Sequence, residues 1–276
     1  MVTPPSTKAN PAAVEAVPAT MPLACVRRLA QTHTVLLADL DGTKTQQVSE
    51  CLSVEGYTVV AQPCDVIDHE SIDALFSRAA ELGPVRTLVY VLGLSPSMAD
   101  GQRIIEVNLV GAARVAEAVL PLMEQGSVAL FVSSLAAHAC KPDNAVLPAL
   151  DEPQAANLFD RLETLHGQPI SSADAYGLSK AAMNRLCRRL ASRWGARGAR
   201  IVSLSPGLIR TPMGDLEFRN QPSKHQLLER TLLKRQGRLT EVVDAMEFLC
   251  SESASFINGT DLLIDGGLAA AVEFPT

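Results

Sequence analysis

The sequence lacks the residue spacings of a metal or disulfide framework. Its six cysteines, Cys25, Cys51, Cys64, Cys140, Cys187 and Cys250, form no CxxC pair, and its five histidines do not cluster with them. Neither a metal centre nor a stapled fold is expected, and the thiols read as reduced, as in a cytoplasmic protein. No apolar run reaches the roughly 18 residues that a membrane span requires. A basic excess is missing too: the formal net charge is −6 and the pI about 5.4, which argues against nucleic acid or an anionic membrane as partner. Met1–Ala13 is rich in Pro, Ala and Thr, has no apolar h-region and carries one Lys, so it reads as a loose tail rather than a secretory signal. The remaining expectation is a small-molecule partner.

What is present is apolar and regularly ordered. With 276 residues, 47% of them hydrophobic, the chain can bury one sizeable core, and a single domain over residues 14–276 is the economical reading. Continuously apolar runs at His33–Asp39, Tyr57–Ala61, Arg86–Val91, Ser127–Val132, Arg200–Leu204 and Asp261–Ile264 predict strands covered on both faces. Between them, Met21–Gln31, Thr45–Glu55, Ser71–Leu82, Gln102–Glu124, Ala173–Arg193 and Thr240–Ser251 carry helix-compatible periodicity. The alternation predicts an α/β fold, a single Rossmann-like doubly wound parallel sheet. Two segments interrupt it: residues 136–172, a helical insertion with pieces at Leu147–Leu150 and Ala155–Leu165, and residues 211–238, a substrate lid.

Tyr176 and Lys180 stand four residues apart in a predicted helix, so their polar heads share one face. A phenol with a pKa of about 10 is a poor acid or base at neutral pH; a neighbouring cation favours phenolate and lowers that pKa. Tyr176 is therefore a candidate general acid/base.

In this setting the text resembles the short-chain dehydrogenase/reductase family from about Met21 to Gly267. Further signatures stand in order: Asp39 closing VLLAD, Cys64-Asp65-Val66, Asn108 in Ile-Glu-Val-Asn-Leu, Ser133-Ser134 ending SVALFV, Ser205-Pro206-Gly207 running to Thr211-Pro212, and Asn258-Gly259 running to Gly266-Gly267. The resemblance implies a tetrad of Asn108, Ser134, Tyr176 and Lys180. Ser134, preferred to Ser133 as the second of the pair, would bond the substrate oxygen and Tyr176 would pass it a proton. Lys180 would lower the Tyr pKa and, with Tyr176, hold the nicotinamide ribose, while Asn108 would support a relay water. The implied activity is interconversion of a secondary alcohol and a ketone with a nicotinamide cofactor. Asp39, about 20 residues beyond the expected phosphate-binding turn, would accept the adenosine ribose hydroxyls and repel a 2′-phosphate, favouring NAD over NADP. Asp65 and Val66 would line the adenine site, and Gly207, backbone Ile209 and Thr211 the carboxamide side of the nicotinamide.

Two departures bear on function. Ala16, Thr20 and Pro22 stand where the phosphate-binding glycines should be, adding Cβ atoms and removing an amide donor. Thr20 can still cap the following helix and Pro is tolerated in its first turn. After the fourth strand, Gly93 survives in an altered Val91-Leu92-Gly93 and leaves room for close backbone approach. Ser134 and Tyr176 lie 42 positions apart, against roughly a dozen in most of the family. The insertion resembles a subset typified by bacterial 3α-hydroxysteroid dehydrogenase/carbonyl reductase, which implies a steroid or other bulky cyclic carbonyl. There the inserted helices occupy a face used elsewhere for subunit contact, so the expected homodimer or homotetramer would use another surface. The glycine-poor turn motivates a second reading, a dehydrogenase-like scaffold or ligand-binding module with impaired dinucleotide binding. A third keeps Tyr176 and Lys180 for non-redox acid/base chemistry. The basic run Arg219, Lys224, His225, Arg230, Lys234, Arg235 and Arg238 reads as a solvated face, with recognition of an anionic substrate as its alternative.

Overall fold

The computed structural model describes residues 11–15, 20–211, 218 and 223–274. Seven parallel strands form one sheet: β1 (Pro11–Glu15), β2 (Thr34–Asp39), β3 (Val59–Pro63), β4 (Val85–Tyr90), β5 (Met123–Val132), β6 (Arg200–Pro206) and β7 (Asp261–Ile264). Their order is β3-β2-β1-β4-β5-β6-β7. β1 pairs with β2 on one side and β4 on the other, so the strand order reverses there and opens a crevice beyond the carboxyl ends of the strands.

The six strands expected from apolar runs are present, and β1 is an addition. Its sequence, Pro-Ala-Ala-Val-Glu, carries a single β-branched residue, and Pro11 stands at the strand's first position, where proline is tolerated. The loose tail expected over residues 1–13 is corrected accordingly: residues 11–13 belong to the middle of the sheet, and residues 1–10 lie outside the described residues.

Helices cover both faces. α1 (Thr20–Leu29), α2 (Gly42–Val54) and α11 (Leu239–Cys250) lie on one side, and α3 (His69–Leu82), α5 (Ala112–Val119) and α9 (Ser172–Gly195) on the other. Successive residues of β2 alternate between them: Val35 and Leu37 join the first layer, Leu36 and Ala38 the second. That two-sided burial is why the strand text is continuously apolar. The helix expected at Gln102–Glu124 is broken into α4 (Gly101–Ile105), a π segment at Glu106–Gly111, α5, and a 3₁₀ turn at Leu120–Leu122 that ends it two residues early, where β5 begins.

The insertion contributes α6 (Ala136–Ala139), α7 (Leu147–Leu150) and α8 (Leu158–His166). Val146, Ala149, Leu150, Leu158 and Leu162 pack against Ile104, Ile105 and Leu109 and against Ala175, Leu178 and Ala182 of α9. The spacing of the α9 partners is the i, i+3, i+7 stripe of an amphipathic face. Of the lid expected over residues 211–238, helix α10 (Ser223–Arg230) is described and residues 212–217 and 219–222 are not. A last short helix, α12, spans Leu268–Glu273. Among the described residues no helix is long and apolar enough to cross a membrane, and no His/Cys/Asp/Glu group could hold a metal ion.

Candidate active site

α9 begins where Ser171 caps it, its hydroxyl accepting from Asp174 N at 3.2 Å, and Tyr176 and Lys180 follow in its next two turns. Lys180 is 4% exposed. Its Nζ donates to Val132 O at 3.0 Å and lies 5.8 Å from the Tyr176 ring centroid. Burial lowers its pKa from 10.5 to about 8, because an ammonium withdrawn from water loses hydration. The cation and the phenol ring thus share one site at the end of β5.

Gly93 explains how that site has room. A Cβ there would stand 3.1 Å from Lys180 Nζ and 3.6 Å from Asn108 Oδ1, so the absent side chain leaves the ammonium its place. The sequence reading gave Gly93 to backbone approach alone; its contact with Lys180 is a second reason for glycine.

Asn108 is fully buried in the π segment. Its Oδ1 accepts from Leu94 N at 2.7 Å, and its Nδ2 donates to Leu94 O at 3.0 Å and to Ser179 Oγ at 3.4 Å. Ser179 Oγ in turn donates to Tyr176 O at 2.9 Å. The Asn108 amide therefore clamps the chain after Gly93 and ties it to α9, so the side chain expected to support a relay water is engaged with backbone. Losing it would leave the partly buried Leu94 N–H without this acceptor, at about 1 kcal/mol.

The two serines separate by role. Ser133 Oγ donates to Lys180 O at 3.1 Å, which fastens the end of β5 to α9. Ser134 is partly exposed, and its Oγ accepts from Ala136 N at 3.1 Å, leaving the hydroxyl proton for another acceptor. The turn bearing Ser134 is anchored by a pair the sequence did not reveal: His138 Nε2 meets Asp261 Oδ2 at 2.7 Å, and Asp261 Oδ1 accepts from Ser205 Oγ at 2.9 Å. Ser179 and the Val132 carbonyl were missed as well. A backbone acceptor has no residue signature, and a serine bonding its own helix is too common to single out.

The residues expected to hold a dinucleotide gather along the same edge of the sheet. Thr20 opens α1, whose first turn contains Pro22. Asp39 ends β2, and its Oδ1 accepts from Asp41 N at 2.8 Å. Asp65 follows β3 and its Oδ1 accepts from Ile67 N at 3.1 Å; Val66 is buried against Gly111, where a Cβ would come within 2.7 Å of Val66 Cγ2. After β6, Gly207 N donates to Ile264 O at 3.0 Å, and a Cβ on Gly207 would stand 2.6 Å from Asp265 Cα. Ile209 bridges to Gly237 through Leu208 O and Arg210 N, and Thr211 follows it, partly buried. Ala16 and the rest of the turn through Ala19 lie outside the described residues. Within the segment expected as a lid, Arg235 pairs with Glu241 at 2.7 Å and Lys234 donates to Glu229 O at 2.6 Å, so these two cations hold local structure.

This donor set suits a nicotinamide dinucleotide. A buried ammonium with N–H groups beyond its one carbonyl partner, a glycine whose Cβ would fill the space beside it, and a carboxylate at the end of β2 match a ribose hydroxyl, a close approach and a second ribose.

A family model described as Enoyl-(Acyl carrier protein) reductase matches residues 20–150 and 164–269, and its gap falls within the insertion. The chain is 32% identical to "Short-chain dehydrogenase/reductase bsc3" of Alternaria brassicicola, covering 92% of this chain and 93% of the relative. Among solved structures it superposes with TM-score 0.75 on a 7α-hydroxysteroid dehydrogenase complexed with NADH and 7-oxo glycochenodeoxycholic acid, at 24% identity over 94% of this chain and 93% of the other. It superposes with TM-score 0.76 on a gluconate 5-dehydrogenase from Burkholderia cenocepacia in complex with NADP and tartrate, at 21% identity over 95% and 96%.

Proposed function

The chain belongs to the short-chain dehydrogenase/reductase family, oxidoreductases that act on CH–OH groups of small molecules with NAD(P)(H), and we propose on that premise that it interconverts a secondary alcohol and a ketone using NAD(H). The observation that carries this reading is the buried Lys180 ammonium beside the Tyr176 ring, with Gly93 leaving it space. Tyr176 Oη passes a proton to the substrate oxygen, or takes it in the oxidative direction. Lys180, held by Val132 O, favours the phenolate and, with Tyr176, holds the nicotinamide ribose. Ser134 donates its hydroxyl to the same substrate oxygen, and Ser133 and Asn108 keep the parts in register. Bound NAD(H) supplies or accepts the hydride. Asp39, Asp65 and Val66 take the adenosine end, Thr20 and Gly93 flank the phosphates, and Gly207, Ile209 and Thr211 take the carboxamide side.

Preference for NAD over NADP rests on Asp39, whose charge repels a 2′-phosphate. A bulky cyclic ketone such as a steroid rests on the insertion alone and is the first class to screen; enoyl thioesters belong in the same screen because of the name the family model carries. The reading includes a cytoplasmic homodimer or homotetramer, for which the exposed Phe248 and Phe256 offer apolar surface.

The glycine-poor turn motivates the second reading, a scaffold or ligand-binding module. Against it, the first four N–H groups of a helix have no intrahelical partner, so Pro22 in the first turn of α1 removes a donor without breaking the helix. Titration of the folded protein with NADH and NADPH, followed by the nicotinamide emission, separates the two. Saturable binding with NADH the tighter supports the enzyme; absence of binding of either at millimolar concentration puts the scaffold first.

A further inference from the structure

The loop from β2 to α2 carries a second acidic residue. Asp41 N–H donates to Asp39 Oδ1 at 2.8 Å. Asp41 Oδ1 accepts from Lys44 N at 3.1 Å, capping α2, and Asp41 Oδ2 pairs with Lys44 Nζ at 3.1 Å. The pair stands at the surface, with side chains 42% and 53% exposed. The backbone N–H of Lys44 and then its ammonium hold the Asp41 carboxyl below its ordinary value. Leu40, between the two acids, projects an exposed apolar side chain. Three consecutive residues at the end of β2 thus present carboxylate, leucyl and carboxylate groups, and the cation one turn along faces the second carboxylate.

This arrangement bears on which dinucleotide the crevice accepts. A ribose 2′-phosphate at the end of β2 needs a cation to meet it. Lys44 is the cation of this loop, and Asp41 already engages both its ammonium and its backbone N–H. We propose that the Asp41–Lys44 ion pair is a specificity lock: Asp41 withholds the Lys44 ammonium from a 2′-phosphate, while its backbone N–H, donated to Asp39 Oδ1, holds the Asp39 carboxylate in place. The proposal rests on the cofactor reading above and extends it from Asp39, which repels the phosphate, to a device that disarms the nearby cation. Gly42 keeps the loop in register. A Cβ there would come within 2.7 Å of Pro63 Cγ at the end of β3, so the loop is seated against its neighbouring strand.

The test is Asp41→Ser, which removes the charge and keeps a good N-cap hydroxyl for α2, compared with Asp41→Ser/Lys44→Ala and with Lys44→Ala alone. Dissociation constants for NADH and NADPH are measured by nicotinamide fluorescence at low ionic strength, where an exposed pair is least screened, and melting curves report folding. The ratio of the NADPH to the NADH dissociation constant should fall on the order of tenfold in Asp41→Ser, return toward the parent value in the double variant, and change little in Lys44→Ala alone. An unchanged ratio in folded Asp41→Ser overturns the lock. So does a fall that survives removal of Lys44, because the effect would then be the lost Asp41 charge and not the released ammonium. If the parent protein binds neither dinucleotide, the cofactor reading fails first and the lock with it; if it binds NADH and only the ratio fails to move, the lock alone fails.

Discussion

Beside β4, β5 and α9 the Asn108 amide and the Lys180 ammonium are buried and tied into the frame, whereas in the loop after β2 the Asp41–Lys44 pair stands at the surface although Asp39 next to it is buried. Asn108 is fully buried on the backbone of Leu94, and Lys180 is 4% exposed on the carbonyl of Val132. Asp41 and Lys44 meet with roughly half of each side chain exposed. In the first region, interactions in a low-dielectric interior are strong, and added volume is resisted by close packing. In the second, solvent screens the Asp41–Lys44 pair, so each of its charges acts weakly and any selectivity it adds comes from their arrangement. Catalytic geometry and cofactor choice are consequently separable by mutation.

The strongest way to break the comparison is Tyr176→Phe. The variant retains the ring and loses the hydroxyl, so turnover of any substrate found should fall by about 10²–10⁴, while the melting temperature stays close to the parent's and NADH binding weakens only by the one ribose contact that Tyr176 shares with Lys180. Full activity would remove Tyr176 from the chemistry. Gly93→Ala is next. Its methyl would sit 3.1 Å from Lys180 Nζ, and displacing the ammonium should lower turnover about 10- to 100-fold and cost about 1–3 kcal/mol of stability. Gly56→Ala is the control: φ is +92° there and nothing lies within 4 Å, so backbone strain should cost about 1 kcal/mol with turnover unaltered. Equal turnover losses in the two variants would contradict the role given to Gly93.

The sharp difference in burial also predicts a pH signature. Burial lowers the Lys180 pKa from 10.5 to about 8 in the folded chain, so between these values the unfolded chain holds a proton that the folded chain has lost. Stability therefore rises with pH across that window, and below about pH 8 the full cost of burying the charge is present. Lys180→Met should be the more thermostable protein at pH 7, with its advantage shrinking as pH approaches 10.5. Taking the difference between parent and variant cancels Cys25 and Cys250, whose burial raises their pKa to about 12 and makes stability fall above pH 9. A difference that stays flat from pH 7 to 10 would show Lys180 to be hydrated.

Legibility in the sequence cut across that division. Strands covered on both faces announced themselves as continuous apolar runs, and Tyr176 and Lys180 could be read from helical spacing, whereas the Ser133-Ser134 pair entered only through the family resemblance. β1 escaped because its pairing with β2 and β4, rather than its own Pro-Ala-Ala-Val-Glu text, supports it. The π segment escaped for a related reason: it surrounds Asn108, whose amide bonds are made to a backbone 14 residues away, a partnership that local periodicity does not record. Asp41 carried no signal in the sequence, because its role depends on bonds to Asp39 and Lys44 that no residue spacing announces.

The smallest expected effect tests the glycine-poor turn. Pro22 lies in the first turn of α1 and lacks the amide that a phosphate could use. Pro22→Ala restores this donor where the helix dipole already favours an anion, so NADH should bind a few-fold more tightly. The gain should be shared by NADPH, because the pyrophosphate is common to both, and this separates it from Asp41→Ser, whose effect is on their ratio. Pro22 is buried, so a small loss of stability from lost packing should accompany the gain and is measured in the same melting series. Unchanged or weaker binding of both dinucleotides in the folded variant would mean that the first turn of α1 contributes little to holding pyrophosphate. The weight of cofactor binding would then shift to Lys180, Asp39 and the loops after β4 and β6.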